Sequence, residues 1–347
     1  MIYFDQAAAM MPEPEVLDFY RSAAAQYFAN QEAGHGAGYH LRRMLEDAGK
    51  RLLSALNADS GMKILWADSG STLFHLFSHL PEFSAGAIVT DPFCHPALAA
   101  ALKRTGAEIL HTFDPAKRIV LEAHKAVQSE TGAWNQNPLP RVPLLLDTIQ
   151  SAGKFAMPDA DFLTVSGHKL GAPGGAALLY RDPAGERTRA FAQMRHTHYL
   201  AGRPEPAQIF AMVFAAERWQ TKRAERLQTV TAINTFLRQE LPKIQLPGRK
   251  FPQITLPQEK TSPYILHFLL PGMQSGVMVR MLSEAEIFIA SGSACQAETD
   301  DPSPALLAMG YSRADAYSGI RLSFGPANTL QEAQRFLECF AAAVKAY

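Results

Sequence analysis

Apolar residues in this chain gather into short, mostly continuous runs. "KILWA" (63–67), "GAIVT" (86–90), "AEILH" (107–111), "VPLLLD" (142–147), "FLTVS" (162–166) and "AALLY" (176–180) read as strands. Continuous rather than alternating apolar runs are expected of a sheet covered on both faces, where neither side of a strand meets water. Between the runs, "STLFHLFSHL" (71–80) and "HPALAAALKRTG" (95–106) have helical length and periodicity, the second closing on Gly106. This alternation predicts an α/β domain built on a largely parallel, doubly wound sheet. Residues 206–241 read as one long helical region, and the proline-rich stretch 246–263 that follows is the best candidate boundary. Beyond it, "YILHFLL", "IFIAS" and "GIRLSFG" alternate with helical segments and predict a smaller α+β domain. The expected division is 13–240 for the large domain and 241–347, with 1–12, for the small one.

Composition narrows the classes. The chain has 347 residues, 47% hydrophobic and 19% charged, ordinary for a well-packed globular protein. Lys+Arg and Asp+Glu balance at 33 each, so no bulk affinity for nucleic acid or an anionic membrane is expected. The three cysteines, Cys94, Cys295 and Cys339, show no paired spacing and suggest a reducing compartment. No basic n-region opens the chain and no apolar run nears the ~18 residues of a membrane span, so the expectation is a cytoplasmic protein.

In open α/β sheets ligands bind at the carboxyl ends of strands. The residues that follow the predicted strands are therefore the candidates. Asp68-Ser69-Gly70-Ser71-Thr72 opens a helix with free N–H groups and hydroxyls, which suits a phosphate. Asp91-Pro92-Phe93-Cys94-His95 follows the second run, Asp147-Thr148-Ile149-Gln150 the fourth, and Ser166-Gly167-His168-Lys169 the fifth. Each alone also reads as a cap or a satisfied hydrogen bonder. Together they set a phosphate cradle, a carboxylate, an imidazole and a lysine at one sheet edge. Pyridoxal 5′-phosphate needs that set: an amine to carry it, a carboxylate at its pyridine nitrogen, and a phosphate site.

"SGHK" (166–169), "DTIQSAGK" (147–154) and "ASGSAC" (290–295), in that chemical company, resemble the class V aminotransferase superfamily of fold-type I pyridoxal-phosphate enzymes, closest to the group I cysteine desulfurases. "YFDQAAAMMPEPEV" (3–16), "FANQEAGH" (28–35), "DSGST" (68–72), "HPA" (95–97) and "SGIRLSFG" (318–325) are similar to further segments of that family. The resemblance implies Lys169 as the cofactor's attachment point, Asp147 as the pyridine-nitrogen partner, Gln150 near the ring hydroxyl and His95 over the ring face. It implies Ser71, Thr72, Ser166 and His168 around the phosphate. Arg321 would clamp a substrate carboxylate with Asn30 assisting, because a guanidinium fork offers bidentate geometry. Arg203 stands where the family places a threonine that reaches the neighbouring subunit's phosphate, which implies a homodimer with shared active sites. Cys295, in the polar, proline-ended loop "SGSACQAETDDPSP", would be the nucleophile. Cys94 and Cys339 read as structural.

The activity so implied is conversion of L-cysteine to L-alanine, with the sulfur taken up on Cys295 and passed to an acceptor protein. The alternatives are a class V aminotransferase or another lyase, selenocysteine lyase included, with Cys295 incidental, or a non-catalytic homologue. No metal is expected.

Overall fold

The structure, a computed structural model, describes residues 1–135, 142–196, 204–292 and 302–347. Its strands in chain order are β1 (Ile2–Tyr3), β2 (Lys63–Ala67), β3 (Ala87–Thr90), β4 (Glu108–Leu110), β5 (Ile119–Lys125) and β6 (Leu144–Asp147). They continue with β7 (Phe162–Ser166), β8 (Ala176–Tyr180), β9 (Gln253–Ile254), β10 (Ile265–Leu269), β11 (Ile287–Phe288) and β12 (Gly319–Ser323). The helices used below are α1 (Pro14–Gln26), α2 (Gly36–Leu56), α3 (Gly70–Phe77), α4 (Pro96–Arg104), α5 (Glu186–His196) and α6 (Pro206–Glu240). Four more follow, α7 (Ser275–Glu284), α8 (Pro304–Ala308), α9 (Arg313–Ala316) and α10 (Leu330–Ala346). Packing divides the chain into two compact units that interleave along the sequence. One holds Pro12–Ala126 and Gln136–Arg223, the other Met1–Met11, Val127–Asn135 and Ala224–Tyr347.

The first unit contains a sheet in the order β2-β8-β7-β6-β5-β3-β4 among the described residues. Only β8 opposes its neighbours, so the other strands share one direction. Strand residues are buried through most of their length, as their continuous apolar runs predict. One strand has such a run only in part. β5, which lies between β3 and β6, escapes sequence reading because Glu122, His124 and Lys125 break its apolar pattern, yet all three are buried. Gly86 falls outside β3, with φ 154°, where a side chain would meet Val120 and the Arg118 carbonyl.

Aromatic packing fixes this sheet against its helices. Phe162 of β7 meets Phe77 of α3 edge-on at 4.9 Å and Phe83 at 5.8 Å, while Phe77 and Phe83 stack at 5.0 Å. Burial of each such side chain contributes about 1.5–3 kcal/mol. The Arg187 guanidinium covers the Phe162 ring at 4.3 Å and donates to Glu82, so that core has a charged lid.

In the second unit β10 lies between β12 and β9 in an antiparallel sheet, and β1 pairs in parallel with β11. The proline-rich stretch 246–263 supplies β9. Phe4 packs edge-on to Phe324 at 5.2 Å and near Phe336 of α10 at 5.9 Å. That helix begins with a full capping box between Thr329 and Glu332, which satisfies two of its free N–H groups. No helix among the described residues is long and apolar enough to cross a membrane.

Candidate active site

Strand direction and register decide which predicted residues meet. Asp147 ends β6 and Ser166 ends β7, and these strands are parallel neighbours. Ala67 of β2 and Ser166 of β7 both pair with Ala176 of β8, so the α3 N-terminus opens at that same edge. Lys125, last in β5, is in register with Asp147. The Ser69–Thr72 turn, the Asp147 carboxylate and the start of the lysine turn therefore share one end of one sheet.

Asp147 is buried and held by one oxygen. Its Oδ1 accepts the Ile149 N–H at 3.1 Å and the Thr164 hydroxyl at 2.9 Å. Both of these bonds are to Oδ1, and none from a described residue reaches Oδ2. At the α3 N-terminus Ser69 Oγ accepts the Thr72 N–H at 3.2 Å and lies 3.0 Å from Thr72 Oγ1. Gly70 packs on Ile149, whose Cδ1 would stand 2.7 Å from an added Cβ, so a side chain there would require the Ile149 end to shift. Ser71 is exposed and Thr72 half-buried.

The lysine turn is a single 3-10 turn, Gly167–Lys169, zipped to the glycines after it. The Gly167 N–H donates to the Gly175 carbonyl at 2.8 Å, and an added Cβ on Gly167 would sit 1.9 Å from the Gly174 carbonyl oxygen. Backbone approach that close admits only glycine. It leaves Ser166 buried, His168 exposed and Lys169 half-buried. Gln150 is buried at the end of the turn after β6.

His95 caps α4, its Nδ1 accepting the Ala97 N–H at 3.1 Å. A neutral ring so bonded carries its proton on Nε2. Burial pushes its pKa below the ordinary value; Asp147 opposes that shift, and Lys125 and Lys169 reinforce it. Burial likewise raises the Cys94 thiol, against a hydrogen bond from Thr90 and the charge of Lys125. Cys94 is therefore a poor thiolate.

Two charged residues near this edge are missing from the sequence-based set. Lys125 acts electrostatically on both His95 and Cys94. Lys154, only 3% exposed, is depressed to about 7, chiefly by burial and then by the charge of Lys169. The backbone accounts for that proximity. Gly153 packs so tightly on Leu170 and Trp219 that an added Cβ would meet Leu170 Cδ2 at 2.8 Å. The Trp219 indole N–H donates to the Leu170 carbonyl at 3.0 Å, and Arg223 Nε to the Gly153 carbonyl at 3.0 Å. No sequence signal marks Lys154, because its burial depends on Leu170 and Trp219 meeting Gly153.

The remaining candidates divide. Asn30 is exposed in the first unit, and its side chain accepts the Glu32 N–H at 3.0 Å. Arg321 belongs to the second unit and is 2% exposed. Its guanidinium donates to Asp5 Oδ1 at 2.6 Å and to the Ser129 carbonyl at 2.9 Å, while Nε has no hydrogen-bond partner among the described residues. His267 is its register partner on β10; burial and the Arg321 charge hold that imidazole at about 3, so it stays neutral. Arg203 and Cys295 lie outside the described residues. Among those residues no group of His, Cys, Asp and Glu is disposed to hold a metal.

The mostly parallel sheet, with β8 its one reversed strand among the described residues, is the fold-type I arrangement of pyridoxal-phosphate enzymes. Residues 107–336 match the aminotransferase class-V family, and the chain belongs to it. Among curated proteins it is similar to a NifS/IcsS protein homolog of Lactobacillus delbrueckii subsp. bulgaricus, 25% identical over 98% of this chain and 96% of that one. A cysteine desulfurase of Gluconacetobacter diazotrophicus is 26% identical over 97% of this chain and 92% of its own. Among solved structures, a NifS-like protein aligns over 100% of both chains with a TM-score of 0.83 at 18% identity. A NifS-like protein of Rickettsia africae gives 0.81 at 18% identity over 99% of both.

Proposed function

We propose that this protein is a pyridoxal-phosphate-dependent cysteine desulfurase-type enzyme that converts L-cysteine to L-alanine. The observation that carries the reading is Asp147, with one oxygen pinned and the other without a described partner, at the sheet edge that also presents Lys169, His95 and the α3 N-terminus. Relatives named cysteine desulfurase, aligned along nearly the whole chain, support the choice of substrate. The residues present fit the cofactor. Lys169 would carry it and Asp147 Oδ2 would face its ring nitrogen. Gln150 and His95 would lie against the ring, and Ser71, Thr72, Ser166 and His168, with Arg203 from a partner subunit of a homodimer, would hold its phosphate.

Bound pyridoxal phosphate supplies the electron sink for a carbanion at the substrate Cα. The chain's own residues supply the rest. Arg321, with Asn30, would orient the substrate carboxylate. The Lys169 amine would move the Cα proton. The Cys295 thiolate would attack the substrate sulfur: the C–S bond breaks, a sulfur–sulfur bond forms, and the product carbon is protonated to alanine. Cys295 is left as a persulfide for an acceptor protein.

Incubation with cysteine and a reductant, with sulfide and alanine measured together, tests this. Equal release of both is expected from a yellow protein whose colour borohydride removes. Cys295→Ala should abolish sulfide release and keep the colour. Full sulfide release by Cys295→Ala would refute the role of that thiol. Amino-group transfer to a keto acid, without sulfide, would instead mark an aminotransferase.

A further inference from the structure

A charged chain of three side chains runs behind the turn that bears His95. His124 of β5 is 3.0 Å from Asp91 Oδ1 through Nδ1 and 2.7 Å from Glu122 Oε1 through Nε2. Glu122 is 2% exposed and His124 8%, so water is kept from the Glu122–His124 contact, while the Asp91 side chain stays partly exposed. Asp91 is the first residue after β3 and begins the turn that leads to His95. Its other oxygen, Oδ2, accepts the Lys125 N–H at 3.4 Å, and its carbonyl accepts the Cys94 N–H at 3.2 Å. Every polar atom of the Asp91 side chain is thus tied to β5, and its backbone starts the turn.

We propose that Glu122–His124–Asp91 is a proton-dependent clamp in which His124, charged between two carboxylates, fixes the Asp91–His95 turn and so positions His95. Glu122, His124 and Asp91 are positioning residues, for none is placed against the reacting groups. That His95 faces a cofactor ring rests on the functional reading above; the clamp itself does not.

A neutral imidazole has one N–H and can donate to only one of the two carboxylates, whereas the imidazolium donates to both. Two charge-assisted hydrogen bonds are the stronger state. Burial opposes the charge on His124, but the Asp91 and Glu122 carboxylates outweigh it and raise the pKa. Other neighbours do not replace them. Leu146 faces His124 in register on β6, and His111, after β4, is turned to the Thr90 carbonyl at 3.0 Å. Lys125, next along β5, adds a like charge at one remove. Because the folded pKa is raised, the clamp is complete below the ordinary 6.5 while both carboxylates are ionised, and it is lost as pH rises through the raised folded value.

The test reads the protein as purified, by NMR of the His124 ring and by hydrogen exchange of the Cys94 amide. His124 should titrate above the ordinary 6.5. Amide protection at Cys94, corrected for intrinsic exchange, should fall across the same interval. His124→Asn should lower that protection by about tenfold at pH values below the wild-type His124 midpoint and erase its pH dependence. Glu122→Gln, which keeps the side-chain volume, should bring the His124 midpoint down and shift the protection curve with it, so a misfolded His124→Asn leaves the question decidable. A His124 midpoint at or below 6.5, or a protection curve that Glu122→Gln leaves unmoved, would overturn the proposal. Failure to take up pyridoxal phosphate would overturn the functional reading alone, since neither signal depends on it.

Discussion

Replacing Lys154 with methionine should raise stability near neutral pH and change how stability depends on pH. Lys154 is 3% exposed, with a pKa lowered from 10.5 to about 7, burial being the larger cause and Lys169 the second. In the unfolded chain the amine is protonated below 10.5; in the folded protein it stays neutral down to about 7. Between those values the unfolded state binds the extra proton, so the group lowers stability progressively as pH falls and levels off below about 7. Each pH unit is worth about 1.4 kcal/mol, giving a ceiling of about 4 kcal/mol between pH 10 and pH 7. Methionine has similar length and no titration, so any packing loss enters as an offset independent of pH. The assay is the thermal midpoint of both proteins at each pH from 7 to 10. At about 2 °C per kcal/mol for a chain of this size, the advantage of Lys154→Met should shrink by up to about 8 °C across that range. Parallel curves for the two proteins would refute the argument, because they would mean that Lys154 titrates alike folded and unfolded.

Asp147→Asn should leave the fold intact, since the amide oxygen can accept from both Ile149 and Thr164, and should cut turnover of cysteine by about 10²–10³, the scale for removing one preorganised electrostatic partner. Kinetics paired with a melting curve checks both halves. Arg321→Ala strands the Asp5 carboxylate and the Ser129 carbonyl, and should cost about 3 kcal/mol in denaturant unfolding, the low end for a broken buried pair because Asp5 keeps 20% exposure. Arg321→Lys should recover only part of that loss, as an ammonium cannot span both acceptors in one plane.

The elements that could be read from the chain are those whose burial is apolar. "KILWA", "FLTVS" and "AALLY" coincide with β2, β7 and β8 residue for residue, and the long helix over 206–241 is α6. Strand ends were legible for the same reason, so Asp147, Ser166 and the Ser69–Thr72 turn could be set at one edge before any coordinates. β5 was not, because Glu122, His124 and Lys125 cut its apolar run short after Ile119, Val120 and Leu121. Hydrophobic periodicity reports how a residue relates to water through its near neighbours in sequence. It is silent on a charge whose burial depends on a partner from elsewhere.

Tertiary structure alone supplied those partners. Asp91 reaches His124 across 33 residues, and Asp5 reaches Arg321 across 316. Arg321 was recognisable as a guanidinium on a buried strand, but its occupation by Asp5 and Ser129 follows only from folding the first residues onto β12. Lys154 likewise reads as an ordinary lysine until Gly153 is packed on Leu170 and Trp219, which brings it beside Lys169 and out of water. Local sequence sets where an apolar strand begins and ends, because transfer from water is a property of the side chain itself. The charge state and reach of a buried polar group are properties of its surroundings, and those exist only once distant segments have met.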